Sequence, residues 1–311
     1  MRQVGGLSLV GAAVIAFALG TVLANQEREV TLRFQFPVKQ IRHYESKIDG
    51  EMVMTIQVLG QETPLSMNFQ GLVTHTEEVE SVDKEGVATI VTTVKGKVKT
   101  EATGLPAGAE LPPEEEISPV TVRLKMNPLG KVSEMKVEKE QAAPKSPFSP
   151  RMLPQVSGYG FQGLILPEKP VRVGDTWDIS TTVTVSLPDA GTKELEVKGR
   201  ARLVAFEKVN ERDCAVIETS TEIPDFGELL QALPIPEEKG KISGHSEGKA
   251  TSKIWFDIAN GFIIRNETTA DLYFNFVVST PTGQSVSIST QGIFRSEQKL
   301  TKVTRKGDEK G

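Results

Sequence analysis

At 311 residues with a formal charge of −5, the chain is long enough for two ordinary domains or one large all-β domain. Loss of residues 1–24 would remove only Arg2 among charged groups and leave −6, a mildly acidic balance without phosphate-seeking character, so nucleic acid is not expected as a partner. Aromatic residues make up 6%, and the strand-like runs are rich in Val, Thr, Ile, Lys and Glu, which suits sheets with one dry and one wet face.

Val4 to Ala24 carries no charge, Arg2 stands just ahead of it, and Asn25-Gln26-Glu27-Arg28 turns abruptly polar. The run closes on Thr21-Val22-Leu23-Ala24, with small or β-branched residues where a signal peptidase inspects the chain. Residues 1–24 therefore read as a secretory signal peptide cleaved after Ala24, which places the mature chain in the periplasm or outside the cell. The alternative is an N-terminal membrane anchor, because 21 residues would span about 31 Å as a helix.

From residue 25 to 137 the sequence predicts a first antiparallel β unit. Val30, Leu32, Phe34 and Phe36 alternate with polar residues, the period of a strand with one buried face. Asp49-Gly50 is a two-residue hairpin signal, and Met52, Met54, Ile56 and Val58 repeat the alternation after it. Further strands are expected at 65–69, 72–82, 87–99, 120–126 and 131–137, with turns at 83–86 and 127–130. Residues 138–175 form a proline-rich, partly apolar crossover.

A second antiparallel β unit covers 176–301, with strands at 179–187, 193–208, 214–223, 250–258, 261–276 and 285–299. One short helix is expected at Asp225 to Leu233, closed on both sides by prolines. Residues 302–311 are charged and expected as a disordered tail. Val122–Val132 and Ser252–Phe262 share a strand, an Asn or Asp, a tight glycine turn and a second strand. The fold class is thus mainly β, with two related antiparallel meander sheets forming a sandwich or curved half-barrels.

Chemistry is sparse. Gly244-His245-Ser246-Glu247-Gly248 matches the hydrolase pattern G-x-S-x-G, but a strand-like run follows where that motif needs a helix. His43, His75 and His245 stand at no metal-ligand spacing, and His75, between Thr74 and Thr76, is placed on the wet face of its strand. Cys214, the lone cysteine, has no disulfide partner within the chain and reads as a small strand residue. Asn266-Glu267-Thr268 is a formal glycosylation acceptor. No catalytic residue, cofactor site or metal site is assigned.

Leu166-Pro-Glu-Lys-Pro-Val-Arg-Val-Gly-Asp-Thr-Trp177 is the most distinctive stretch, a rigid corner that opens the second unit's first strand. It resembles a segment of an uncharacterised family of bacterial secreted β-rich proteins, with the pattern Leu-Pro-x-x-Pro-Val-x-x-Gly-Asp-x-Trp. The resemblance implies export and a β-rich fold, and carries no catalytic residues. The layout of long one-faced strands is also similar to the LolA-type periplasmic lipoprotein carriers.

The expected function is an exported, non-enzymatic protein that binds an apolar or lipidic ligand in the cell envelope. Phe34, Met52, Met54, Ile56, Met67 and Phe69 form the candidate ligand face. The alternative is an envelope scaffold that docks another protein, marked by a filled core and a free edge or apolar patch. A hydrolase is the third reading.

Overall fold

The computed structural model describes residues 28–105, 114–139, 164–187, 191–222, 225, 227, 241–279 and 285–307. The leader, most of the crossover, most of the expected helix and residues 308–311 lie outside them.

The described chain is all-β. Its first meander comprises β1 (Gln40–Val58), β2 (Gln61–Val82), β3 (Ala88–Thr103), β4 (Glu115–Met126) and β5 (Val132–Lys139). The second comprises β6 (Thr176–Leu187), β7 (Gly191–Val209), β8 (Arg212–Glu222), β9 (Lys241–Asp257), β10 (Phe262–Ser279) and β11 (Ser285–Arg305). The two meanders are joined edge to edge in one ring, ordered β1-β11-β10-β9-β8-β7-β6-β5-β4-β3-β2. An odd number of strands cannot alternate up and down all the way round, so one neighbouring pair must be parallel. That pair is β5 and β6, which meet through Glu134↔Thr184, Met135↔Val185 and Lys136↔Ser186 and are joined by the crossover, as parallel neighbours require. The other closure, β1 against β11, runs nearly the whole length of both strands.

Alternation sets the two faces. On β2 the buried residues are Leu65, Met67, Phe69, Val73, His75 and Val79, with mostly polar residues between them, Leu72 being an exposed exception. Register carries this face around the ring: Met67 pairs with Met52, Phe69 with Gly50 and Tyr44 with His75. The opposite, exposed face carries Lys47, Asp49, Arg295 and Glu297, with Val53, Leu72 and Ile293 among them.

Several sequence expectations shift in detail. Asp49-Gly50 makes no hairpin, because β1 continues through it; the turn falls at Leu59 (φ 50°) and Gly60 (φ 81°), ten residues later. Gly50 instead gives room to aromatic neighbours: a Cβ there would stand 2.2 Å from the Phe69 ring. The runs 65–69 and 72–82 are one strand, β2. β11 extends to Arg305, so the first residues of the expected tail pair with β1. Residues 30–36 keep their alternation but join no strand of the ring; Val30 bridges to Val171 in a second segment outside it, and the two segments together fill one end of the barrel.

That end is closed by residues 28–37 and 164–175. Val30, Leu32, Phe34, Leu164, Ile165, Leu166 and Val171 are all buried, and they pack against Val79, Ile90, Val122, Leu124, Ile217, Ile254 and Phe256. At about 25 cal/mol per Å² of apolar area, each such side chain contributes roughly 1.5–3 kcal/mol, so the cap is a main part of the core. Two neighbouring amides fasten it to turns that the sequence pairs with each other. Phe34 N donates to Pro128 O (2.8 Å) and Gln35 N to Gly261 O (3.0 Å).

The corner motif locks the second cap segment. Trp177 Nε1 donates to Ile165 O (2.6 Å), Leu166 N to Leu129 O, and Arg172 N to the Asp175 carboxylate. Arg33 then donates to Pro167 O (2.7 Å) and Glu168 O (2.5 Å), tying the two cap segments together.

Candidate functional site

Three features of the ring could carry function: the apolar interior away from the cap, a buried polar belt, and an outer cleft. Five of the six sequence-selected residues gather in the first. Met52, Met54 and Ile56 on β1 share the inward face with Met67 and Phe69 on β2, and Met52 and Met67 are direct cross-strand partners. Phe34 does not join them. It sits in the cap, edge-on to Phe256 at 5.2 Å between ring centroids, because residues 28–37 leave the meander.

The same face continues where sequence reasoning did not look. Met54 pairs with Thr290 and Ile56 with Ile288 on β11; Thr290 pairs with Phe274 and Ile288 with Phe276 on β10. Their signal, alternation within β10 and β11, was legible, but pairing to β1 depends on a contact across more than two hundred residues. Two buried clusters differ in finish here. Met52, Leu65 and Met67 are buried, with Met54, Ala102 and Leu105 packed against them. Ile56, Phe274, Phe276, Ile288 and Phe294, on the same face, are only half-buried. Glycines make the room: Phe276 lies over Gly244, and Gly50 is flanked by Phe69 and Phe294, whose rings are 5.1 Å apart.

Between this apolar end and the cap lies the polar belt. Arg42, Tyr44 and His75 are buried, and their faces meet Glu77. Arg42 donates to Gln35 O (2.6 Å) and Gln40 Oε1 (2.9 Å), and its guanidinium lies 4.9 Å over the Phe262 ring. Its Nη1 stands 3.7 Å from Glu77, as does His75 Nε2. Tyr44 stacks on His75 (4.7 Å) and donates to Ile263 O, and His75 Nε2 lies 3.0 Å from Gln298 Nε2. His75 is therefore an interior residue, not one on the wet face. Its threonine neighbours hide the parity, because the belt itself is polar and breaks the dry-wet alternation.

Burial would by itself raise the Glu77 pKa, but hydrogen bonding and charge from His75, the Arg42 charge and the Tyr44 hydroxyl outweigh it and hold the carboxyl below its ordinary value. Burial, reinforced by the Glu77 charge, pushes the Tyr44 hydroxyl well above the ordinary tyrosine value. Both shifts favour a fixed ion pair and a neutral phenol, which is the electrostatics of a structural belt. Thr92, paired with Glu77 across β2 and β3, has a buried hydroxyl without a hydrogen-bond partner.

The remaining sequence candidates fall in structural places. Ser246 lies inside β9 with its side chain buried, while His245 points to the other face and pairs with Asp225 (2.7 Å), so the G-x-S-x-G residues form no strand-to-helix elbow. Cys214 is buried, and burial pushes its thiol up to about 11, which leaves it protonated and inert. Asn266 faces the interior and is buried, so it is no glycan acceptor in the folded chain. Among the described residues, no three His, Cys, Asp or Glu side chains group as a metal site.

Fold and site together define a β-barrel with a charged exterior, a cap at one end and an apolar interior at the other. No family model matches the chain, and no curated protein matches it. Solved structures with similarity include lipovitellin, studied for its lipid–protein interactions, at 10% identity and a TM-score of 0.39. That match covers 87% of this chain, which spans only 26% of lipovitellin's length. OccK7 (OpdD) of Pseudomonas aeruginosa follows at 7% identity and a TM-score of 0.26, over 83% of this chain and 99% of the other. A DUF1329 family protein from Desulfovibrio piger has 10% identity and a TM-score of 0.18, over 94% and 93%. Likeness at these scores carries no argument about function.

Proposed function

We propose that the chain is an exported, non-enzymatic binding protein that holds an apolar or lipidic ligand in the barrel interior away from the cap. One observation carries the reading. Most apolar side chains gathered at the capped end are buried, Leu32, Val79, Val122, Leu166, Ile217 and Phe256 almost completely, whereas Ile56, Phe274, Phe276, Ile288 and Phe294 face the same interior and all remain half-buried. Apolar surface turned inward but left in contact with solvent is what a ligand would cover. Methionine at positions 52, 54 and 67 supplies a lining that adapts to ligand shape. Export rests on the leader-like residues 1–24, with the periplasm or the cell exterior as the expected compartment.

Native mass spectrometry of the gently purified protein and titration with a fluorescent long-chain fatty acid would test this. The expected outcome is a bound apolar species or probe uptake that Ile56→Glu reduces at least tenfold while the folded fraction stays unchanged. A wild-type protein that carries nothing and takes up no probe would overturn it.

A further inference from the structure

The outer face has a cleft of its own. A trough of about 800 Å³ runs across β7 to β11 and β1 on the water-facing side. Arg200 and Arg202 stand on one wall, and Lys47 and Arg295 on the other. The floor between them is built of Ser220, Thr251 and Thr269, consecutive cross-strand partners on β8, β9 and β10, with Lys253 beside them. Asp49, Glu218, Glu267 and Glu297 also line it, against the five cations; Glu297 accepts from Arg265 (2.8 Å) and Lys299 (2.8 Å), Glu267 accepts from Arg265, and Glu218 is the cross-strand neighbour of Arg202 and Lys253. Arg295 to Asp49 (3.9 Å) and Arg200 to Asp178 (3.4 Å) are long pairs between exposed side chains, the kind that exchange readily for a better anion.

We propose that this trough binds an acidic polysaccharide. Crossing six strands at about 4.8 Å spacing gives it a length of roughly 24 Å, which suits a chain and not a small ion. Its hydroxyl floor matches sugar hydroxyls, and its arginine walls match carboxylates or sulfates in forked geometry. A peptide adding as a strand is disfavoured, because the floor strands are already paired on both sides. Nucleic acid is disfavoured because, among the described residues, no aromatic ring lines the trough to stack a base. The site lies on the opposite face of the sheet from the interior ligand region, so the two stand or fall separately.

Oligogalacturonate titrated at low ionic strength into the mature full-length protein is the test, with neutral dextran oligomers and duplex DNA in parallel. The expected result is saturable oligogalacturonate binding that the double variant Arg200→Gln/Arg295→Gln weakens about tenfold or more, while Lys97→Gln/Lys99→Gln on β3 leaves it unchanged. Absent oligogalacturonate binding, equal binding by the Arg200/Arg295 variant, or equal binding of dextran or DNA would each overturn the proposal.

Discussion

Glu77 shows how one residue can tie a polar belt into an otherwise apolar barrel. It is the acceptor that balances Arg42 and lies against His75 and Tyr44. Because its folded pKa lies below the unfolded value of about 4.3, its contribution is fully present above that value and is lost as pH falls through the folded pKa. Urea unfolding of the wild type and Glu77→Gln should therefore differ clearly at pH 7, and the gap should close on acidification below about pH 4. A constant gap across that range would show that Glu77 acts through packing alone. Removing Arg42 is the harsher change, since it takes the permanent cation from Glu77 and leaves only His75 and Tyr44 beside its charge; breaking a buried ion pair from one side costs about 3–5 kcal/mol at most.

At the scale of elements, the turns at the capped end have chemistry that the sequence states openly. Asn127 accepts from Leu129 N and Lys131 N, and Asp257 accepts from Asn260 N, so both related turns are held by an acidic or amide side chain at their first position. Gly130 (φ 82°) has a second constraint: a Cβ there would lie 2.4 Å from Leu164 O in the cap. Gly60 (φ 81°) has open space around it. Gly60→Ala should cost about 1 kcal/mol, the left-handed backbone penalty alone, and Gly130→Ala about 3 kcal/mol, with equilibrium unfolding as the readout. Similar losses at both positions would mean that the cap does not bear on the turn.

The same elements show what was legible. Strand positions and the turns at 83–86, 127–130 and before Phe262 follow from alternation and from Asp, Asn and Gly placement, and the corner ending at Trp177 is recognisable as structural. Three misreadings have a common cause. Gly50 reads locally as a turn, His75 as an exposed residue and 30–36 as a ladder strand, because local pattern does not report what arrives from far along the chain. Gly50 answers to Phe69 and Phe294, His75 to Tyr44 and Gln298, and Val30 to Val171. Only part of the half-buried inward apolar face is legible for the same reason: β1 and β2 are sequence neighbours, whereas Phe274, Phe276 and Ile288 come to it only through the β1–β11 closure.

For the whole molecule, the ring is strong on one side and narrow on the other. β1 and β11 pair from Gln40↔Arg305 to Val58↔Val286, while β5 and β6 share three residue pairs among the described residues. Local opening should begin where fewest contacts resist it. Hydrogen exchange followed by mass spectrometry should find the amides of residues 134–136 and 184–186 exchanging faster than those of 44–54, at constant pH and temperature. Protection equal at the two closures would mean that the ring opens only as a unit.

The N-terminal cap segment has a mechanical side as well. Residues 28–37 are held by the paired Val30–Val171 bonds, the amides of Phe34 and Gln35, the Arg33 and Arg42 side chains and the burial of Val30, Leu32 and Phe34, whereas β1, which follows at once, is laddered along both edges. Tension applied at residue 28 would meet a short stopper first and a doubly sheared strand second. The barrel could thus be uncorked from its N-terminus by a force far smaller than the one needed to tear it open.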